Sequence, residues 1–216
     1  SVDELDALLA ESFSFDNFAW QRDNRISIDV PFRADGLHRI LYKCPKCGAE
    51  NRMEGKGIQL TCHACEKQWA MDEYGQLSAN VGVTEYPHIP DWYQWQRECV
   101  RKELEEGIYC LDADVDIAVQ VNLDGVCMIG EGHLKHDSDG FHLTGADGKL
   151  DYRQSPVHSH TLYSDYYWYE IGDVIGIGDN EYSYFCFPKG EVSVTKARLA
   201  TEELYKMKKQ KKAKNG

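Results

Sequence analysis

Cys44-Pro45-Lys46-Cys47-Gly48 and Cys62-His63-Ala64-Cys65 are two Cys-x2-Cys knuckles with fourteen residues between them. A tight knuckle aims two thiolates at one spot. The segment from Ala49 to Thr61 is long enough to run out and back as a hairpin, with Gly55-Lys56-Gly57 at its turn. Two knuckles facing across that hairpin supply four sulfurs in a tetrahedron, the geometry of structural zinc, so Cys44, Cys47, Cys62 and Cys65 are the candidate ligands. Beyond the second knuckle Trp69, Met71 and Leu77 alternate with polar residues, as a third strand beside the metal would. A ribbon this small has little core of its own and is stabilised by ligation. Two disulfides or a redox pair fit less well, because the flanks lack a βαβ pattern and nothing points to export. A catalytic zinc also fits less well, because four protein ligands leave no open position.

On the N-terminal side the chain starts at Ser1, without methionine, directly in an amphipathic segment, Val2 to Ser12, with Leu5, Leu8 and Leu9 on one side. So abrupt a start reads as a piece of a larger protein. Two short helices are expected there, then an alternating strand, Ile26-Ser27-Ile28-Asp29-Val30. Residues 1–39 form a helical connector in this reading and 40–78 the zinc ribbon. Residues 79–110 hold a linker broken by Pro87 and Pro90, then a helix from about Asp91 to Glu106. Trp92, Trp95 and Cys99 recur on one face of that helix, a spacing that favours core over a binding stripe.

From Leu111 the period changes to two. Val115, Ile117, Val119, Val121 and Leu123 alternate with polar or small residues, and Asp124-Gly125 is a two-residue hairpin turn. Asp139-Gly140, Asp147-Gly148 and Asp179-Asn180 mark further turns between short strands, ending in a helix capped near Thr195 with an apolar stripe at Ala197, Ala200, Leu204 and Met207. The fold class is therefore α+β, mainly β: a zinc ribbon, then, over residues 111–216, an antiparallel β-barrel with a C-terminal helix, in the element order of a pleckstrin-homology-like domain.

Composition narrows the function classes. The chain has 216 residues and is 42% hydrophobic, enough for a sizeable core, and 12% aromatic, which suits strands. Its net charge of −12 argues against a nucleic-acid binder, leaving a nucleic-acid-binding zinc ribbon as an alternative only. No apolar run approaches the ~20 residues of a membrane span. Without a signal-like segment or a disulfide framework, the expected location is the cytoplasm. Six lysines lie between Lys206 and Lys214, against 18 basic and 36 acidic side chains in residues 1–205. Such a tail is either a solvated helix end or a contact with an anionic membrane surface, which would make the protein peripheral at the inner membrane face. Five of the eight histidines fall between His133 and His160, which keeps an independent metalloenzyme using His133, His136, His142, His158 and His160 as a further alternative. Their spacing is not that of a ligand set, and solvent-facing strand positions are the simpler reading. Asp137-Ser138-Asp139-Gly140 lacks the later acidic positions of a calcium loop and reads as a turn.

Five strings spread over the chain resemble the C-terminal region of bacterial 1-acyl-glycerol-3-phosphate (lysophospholipid) acyltransferase-like proteins. They are Phe32-Arg33-Ala34-Asp35-Gly36-Leu37, Leu41-Tyr42-Lys43-Cys44-Pro45, Met71-Asp72-Glu73-Tyr74-Gly75, Ile89-Pro90-Asp91-Trp92-Tyr93 and Leu199-Ala200-Thr201-Glu202-Glu203-Leu204-Tyr205. The resemblance implies a parent acyltransferase of phospholipid biosynthesis, whose N-terminal catalytic domain is absent here and would be this segment's partner. Family catalysis uses a His-x4-Asp pair as base and orienter. His160-Thr161-Leu162-Tyr163-Ser164-Asp165 has that spacing, but residues five apart on a strand face opposite sides roughly 17 Å apart, and the family's Glu-Gly-Thr-Arg block is missing. The expected function is a non-catalytic accessory or docking region.

Overall fold

Two antiparallel sheets and two long helices account for most of the computed structural model, which describes residues 1–121 and 125–215. The protein is α+β and mainly β. The smaller sheet is a four-stranded meander of β1 (Met53–Lys56), β2 (Gln59–Cys62), β3 (Gln68–Met71) and β4 (Leu77–Ala79). Its first hairpin turns one step later than the sequence suggested. Gly55 lies inside β1 opposite Leu60, and Gly57 takes the left-handed turn position at φ 64°. Gly55 is small because Ala34 crosses it: a Cβ there would sit 2.2 Å from the Ala34 carbonyl oxygen.

The larger sheet has seven strands: β5 (Leu111–Val121), β6 (Val126–Asp137), β7 (Gly140–Gly145), β8 (Leu150–Gln154), β9 (Tyr163–Trp168), β10 (Gly172–Gly178) and β11 (Tyr182–Pro188). Their order is β8-β7-β6-β5-β11-β10-β9. The alternation of β5 does what it predicts, burying Leu111, Ala113, Val115 and Ile117 while Asp112 and Asp114 face water. Gly132 and Gly145 pair across β6 and β7, and the Ile117 side chain lies over both; a Cβ on Gly132 would meet its Cδ1 at 2.3 Å. This close approach and the register shift after Ile117 bend the sheet. The barrel expected from the sequence is not closed, however. Strands β8 and β9 are edges, separated by an irregular excursion, 155–162, in which Pro156 cannot donate to a ladder. Side chains of β8 reach past that gap: Gln154 Oε1 accepts from the Gly178 N–H of β10 at 3.1 Å. The Asp124-Gly125 turn begins outside the described residues.

Helix α5 (Val194–Asn215) fills the concave face, burying Val194, Ala197, Ala200 and Leu204 against Leu134, Leu143, Ile175 and Cys186, with Met207 at the margin. Its cap is Ser193, whose Oγ accepts from the Lys196 N–H. Thr195, expected as the cap, lies inside the helix and donates its hydroxyl to the Arg39 carbonyl. Helix α4 (Ile89–Glu105) belongs to both cores: Ile89 and Trp92 pack with Leu41, Leu60, Trp69 and Leu77, while Val100 and Leu104 pack with the large sheet. Trp92 is buried and Trp95 half-buried, so the indole stripe is core.

The N-terminal helices α1 (Val2–Phe13) and α2 (Asn17–Asp23) form where expected, and one further turn, α3 (Leu37–Ile40), precedes the cysteines. Leu5, Leu8 and Phe13 of α1 are exposed. Ile26 to Val30 is not a strand. The Ile26 N–H turns back to the Gln21 carbonyl and the Ile28 N–H donates to that of Glu73, with no ladder between them, and Ile26 and Ile28 stay exposed, because the neighbouring chain is a turn rather than a strand with a free edge. Among the described residues no helix is long and apolar enough to cross a membrane.

Candidate metal centre

Each knuckle is a tight turn closed by the same backbone bond. Gly48 N–H donates to the Cys44 carbonyl at 2.9 Å, and Glu66 N–H donates to the Cys62 carbonyl at 2.8 Å. The residue after each knuckle is left-handed, Gly48 at φ 74° and Glu66 at φ 58°. A non-glycine there is strained. The first knuckle precedes β1 and the second joins β2 to β3, so the β1–β2 pairing of Met53 with Cys62 sets them face to face.

The four Sγ atoms all lie within 4.8 Å of one another. Cys44 Sγ is 3.8 Å from Cys65 Sγ, and Cys47 Sγ is 3.8 Å from Cys62 Sγ. Four thiolates about 2.3 Å from a common centre stand roughly 3.8 Å apart at the edges of a tetrahedron. The donor set therefore fits a metal ion, and four close cysteines can hold one. No disulfide joins any of them. Cys44 and Cys62 are buried, and burial pushes both thiols up, so loading the site expels protons held there.

The surroundings fasten the first knuckle to the rest of the molecule through Lys43. Its N–H donates to Gln96 Oε1 at 3.0 Å, and its carbonyl accepts from the Trp92 indole at 3.0 Å, both from α4. Its ammonium lies 3.0 Å from Glu50 and 3.4 Å from Glu103; Lys196 of α5 lies 2.8 Å from Glu50 and 2.7 Å from Glu103. Two cations and two carboxylates thus alternate in a closed square, largely shielded from water, that ties the residues flanking Cys44 and Cys47 to α4 and α5. Sequence reading missed it because its members come from three distant segments.

The histidines converge on nothing. His133 is held between Asp112 at 2.8 Å and Asp114 at 3.0 Å, and His142 bonds Asp151 at 3.0 Å, all at the surface. His136 is buried, stacks on Phe141 at 3.7 Å, and shares a 2.9 Å hydrogen bond with the Tyr109 hydroxyl. His160 lies in the excursion before β9, its ring near Tyr205, and Asp165 accepts from the Tyr166 N–H. Among the described residues no hydrogen bond or ion pair joins His160 to Asp165, and the four cysteines are the only group of three or more His, Cys, Asp or Glu placed so that it could hold a metal ion. Asp137 caps its own turn by accepting from the Asp139 N–H. No protein family, curated protein or solved structure matches the chain.

Proposed function

We propose that this chain is a non-catalytic, zinc-binding docking region of a lysophospholipid-acyltransferase-like protein, with zinc in a structural role. The closed four-sulfur cluster supports the structural role: its donors complete a tetrahedron and leave no position for substrate. The small meander built on it supports the name zinc ribbon. Seven antiparallel strands followed by one packed helix support a pleckstrin-homology-like reading of residues 111–216, with the sheet left open. The acyltransferase parent rests on the five strings quoted above. Under this reading the purified chain transfers no acyl group from an acyl donor to lysophosphatidic acid. Turnover that disappears in His160→Ala would overturn it. A salt-dependent mobility shift on RNA or DNA would instead favour the nucleic-acid alternative, and more than one metal per chain the metalloenzyme.

Docking would be to the parent's catalytic domain and to a cytoplasmic membrane surface through Lys206 to Lys214. Lysines near an anionic surface contribute about 1 kcal/mol each, enough for several to hold a segment already brought there. The expected result is co-sedimentation with anionic but not neutral vesicles, lost at high salt and lost on truncation after Tyr205. Equal sedimentation of the truncated and intact chains would leave the lysines as a solvated helix end.

A further inference from the structure

A cavity of about 590 Å³ opens at the unclosed side of the large sheet, among Gln154 of β8, the 155–162 excursion, β9 and β10. Gly176 and Gly178 of β10 lie along it and add no side chain. At Gly176 a Cβ would meet the Tyr163 ring at 2.5 Å, so glycine is what lets that ring lie down against the sheet. Four aromatic rings line the space: Tyr163, Trp168, Tyr169 and Phe185. They form one packed cluster along a side of it, Tyr163 meeting Phe185 edge to face at 5.8 Å and 85° and Trp168 meeting Tyr169 at 4.6 Å and 81°.

The loop that presents two of these rings is strained. Tyr167, Tyr169 and Glu170 are left-handed, at φ 56°, 44° and 65°, within four consecutive non-glycine residues. Trp168 is held between them by packing flat on Phe185, at 5.0 Å and 15°. Backbone strain of this kind persists only where the surroundings over-determine it, and it concentrates at ligand clamps. Tyr169 is meanwhile 80% exposed, an aromatic ring beside an open cavity with only one face spoken for.

The charge of the lining selects the ligand. Among the described residues no lysine or arginine lines the cavity, and its one carboxylate is Asp179. The backbone N–H groups of Tyr182 and Glu181 hold that carboxyl below the usual range, so it is ionised at neutral pH. The remaining polar groups are neutral amides and hydroxyls, Gln154, Ser159, Thr161 and Ser183 among them, beside His158. An aromatic side with one anion beside it attracts a weakly hydrated organic cation through the ring quadrupoles, and repels anions. We infer that this cavity is a binding site for a small alkylated ammonium ion carrying a hydroxyl group, of which choline is the simplest probe.

The test is calorimetric titration of the intact chain with choline and with tetramethylammonium, with glucose and sodium chloride as controls. Saturable binding of choline is expected, with glucose silent. Asp179→Asn keeps the oxygen that caps the 179–182 turn and removes only the charge. Tyr169→Leu removes an exposed ring and leaves the buried packing intact. Each should weaken choline at least about fivefold, within the range set by one cation–π contact. Monomeric dihexanoylphosphatidylcholine, titrated below its micelle concentration, separates two sources of the same head group: binding of it that is lost in Tyr169→Leu assigns a lipid-borne one, and choline binding without it assigns a soluble one. No saturable binding of either cation, glucose binding in place of choline, or full affinity in both variants would overturn the inference.

Discussion

Cys62→Ser is expected to empty the four-cysteine site and unfold the small sheet while the large sheet survives. Structural metal binding in small domains is worth on the order of 10 kcal/mol, while the apolar side chains around Cys44 and Cys62 contribute about 1.5–3 kcal/mol each, a gain that the entropy of ordering so short a meander largely offsets. Those side chains, Leu41, Met53, Leu60, Trp69 and Leu77, form a core separate from that of the large sheet. The separation is incomplete, because α4 seats Ile89 and Trp92 in one core and Val100 and Leu104 in the other. The loss should therefore spread along the first half of α4 and lower the melting temperature of what remains. Elemental analysis should fall from one zinc per chain to none. Amide exchange should become fast over residues 43–79 and at the start of α4, and stay slow in β5, β6 and β11. Cys127→Ser, at an exposed cysteine of β6, should change neither reading. Undiminished protection in a metal-free Cys62→Ser protein would show that the meander stands without its ion.

Mild acid is the second strong lever. His136 is buried with no carboxylate facing it closely enough to offset its desolvation, and burial pushes its folded-state pKa down to about 3. In the unfolded chain the imidazole titrates near 6.5. Because the folded value is the lower one, the unfolded state binds the extra proton between those two pH values. Stability is then complete above about 6.5 and is lost as the pH falls, by about 1.4 kcal/mol per unit, reaching about 2 kcal/mol at pH 5. His136→Gln keeps an acceptor for the Tyr109 hydroxyl but cannot titrate. That variant should be less stable at pH 7, having lost the stack on Phe141, yet show a flatter slope between pH 6.5 and 5. Denaturant melts of both proteins at pH 7, 6 and 5 decide it; parallel slopes would clear His136 of any part in the acid response.

The cysteine cluster was legible because its information is local. Two knuckles and a hairpin fix four sulfurs with no help from the rest of the chain. The strands of the large sheet were legible for the same reason, since an alternation such as that of β5 is meaningful only when one face is covered. What failed depended on neighbours. Ile26 to Val30 alternates just as well but meets a turn instead of a free edge. Strand β9 begins only at Tyr163, because the excursion through Pro156 and Ser159 takes the residues before it. The barrel stayed open for a related reason, the irregular 155–162 segment leaving the β8 and β9 edges unpaired. The ion square and the aromatic cavity are each assembled from residues far apart in sequence, so no window along the chain contains either. The histidine-rich stretch is the opposite case: it gathers in sequence what the strands scatter, as its spacing suggested, although His136 is buried rather than facing solvent.

Helix α5 has a consequence for the order of events during synthesis. It is 22 residues long and is made after every strand it covers. Until it arrives, Leu134, Leu143 and Ile175 line an uncovered hollow, and Glu50 and Glu103 lack the ammonium of Lys196. At ~5–20 residues per second, translation of the helix takes about 1–5 s. For that interval the nascent chain presents a greasy concavity flanked by two unpaired strand edges, the combination that recruits chaperones and invites association between neighbouring chains on one messenger. The acidic surface already displayed by residues 1–193 keeps such intermediates apart by mutual repulsion, and the strongly cationic helix end appears only once the hollow is covered.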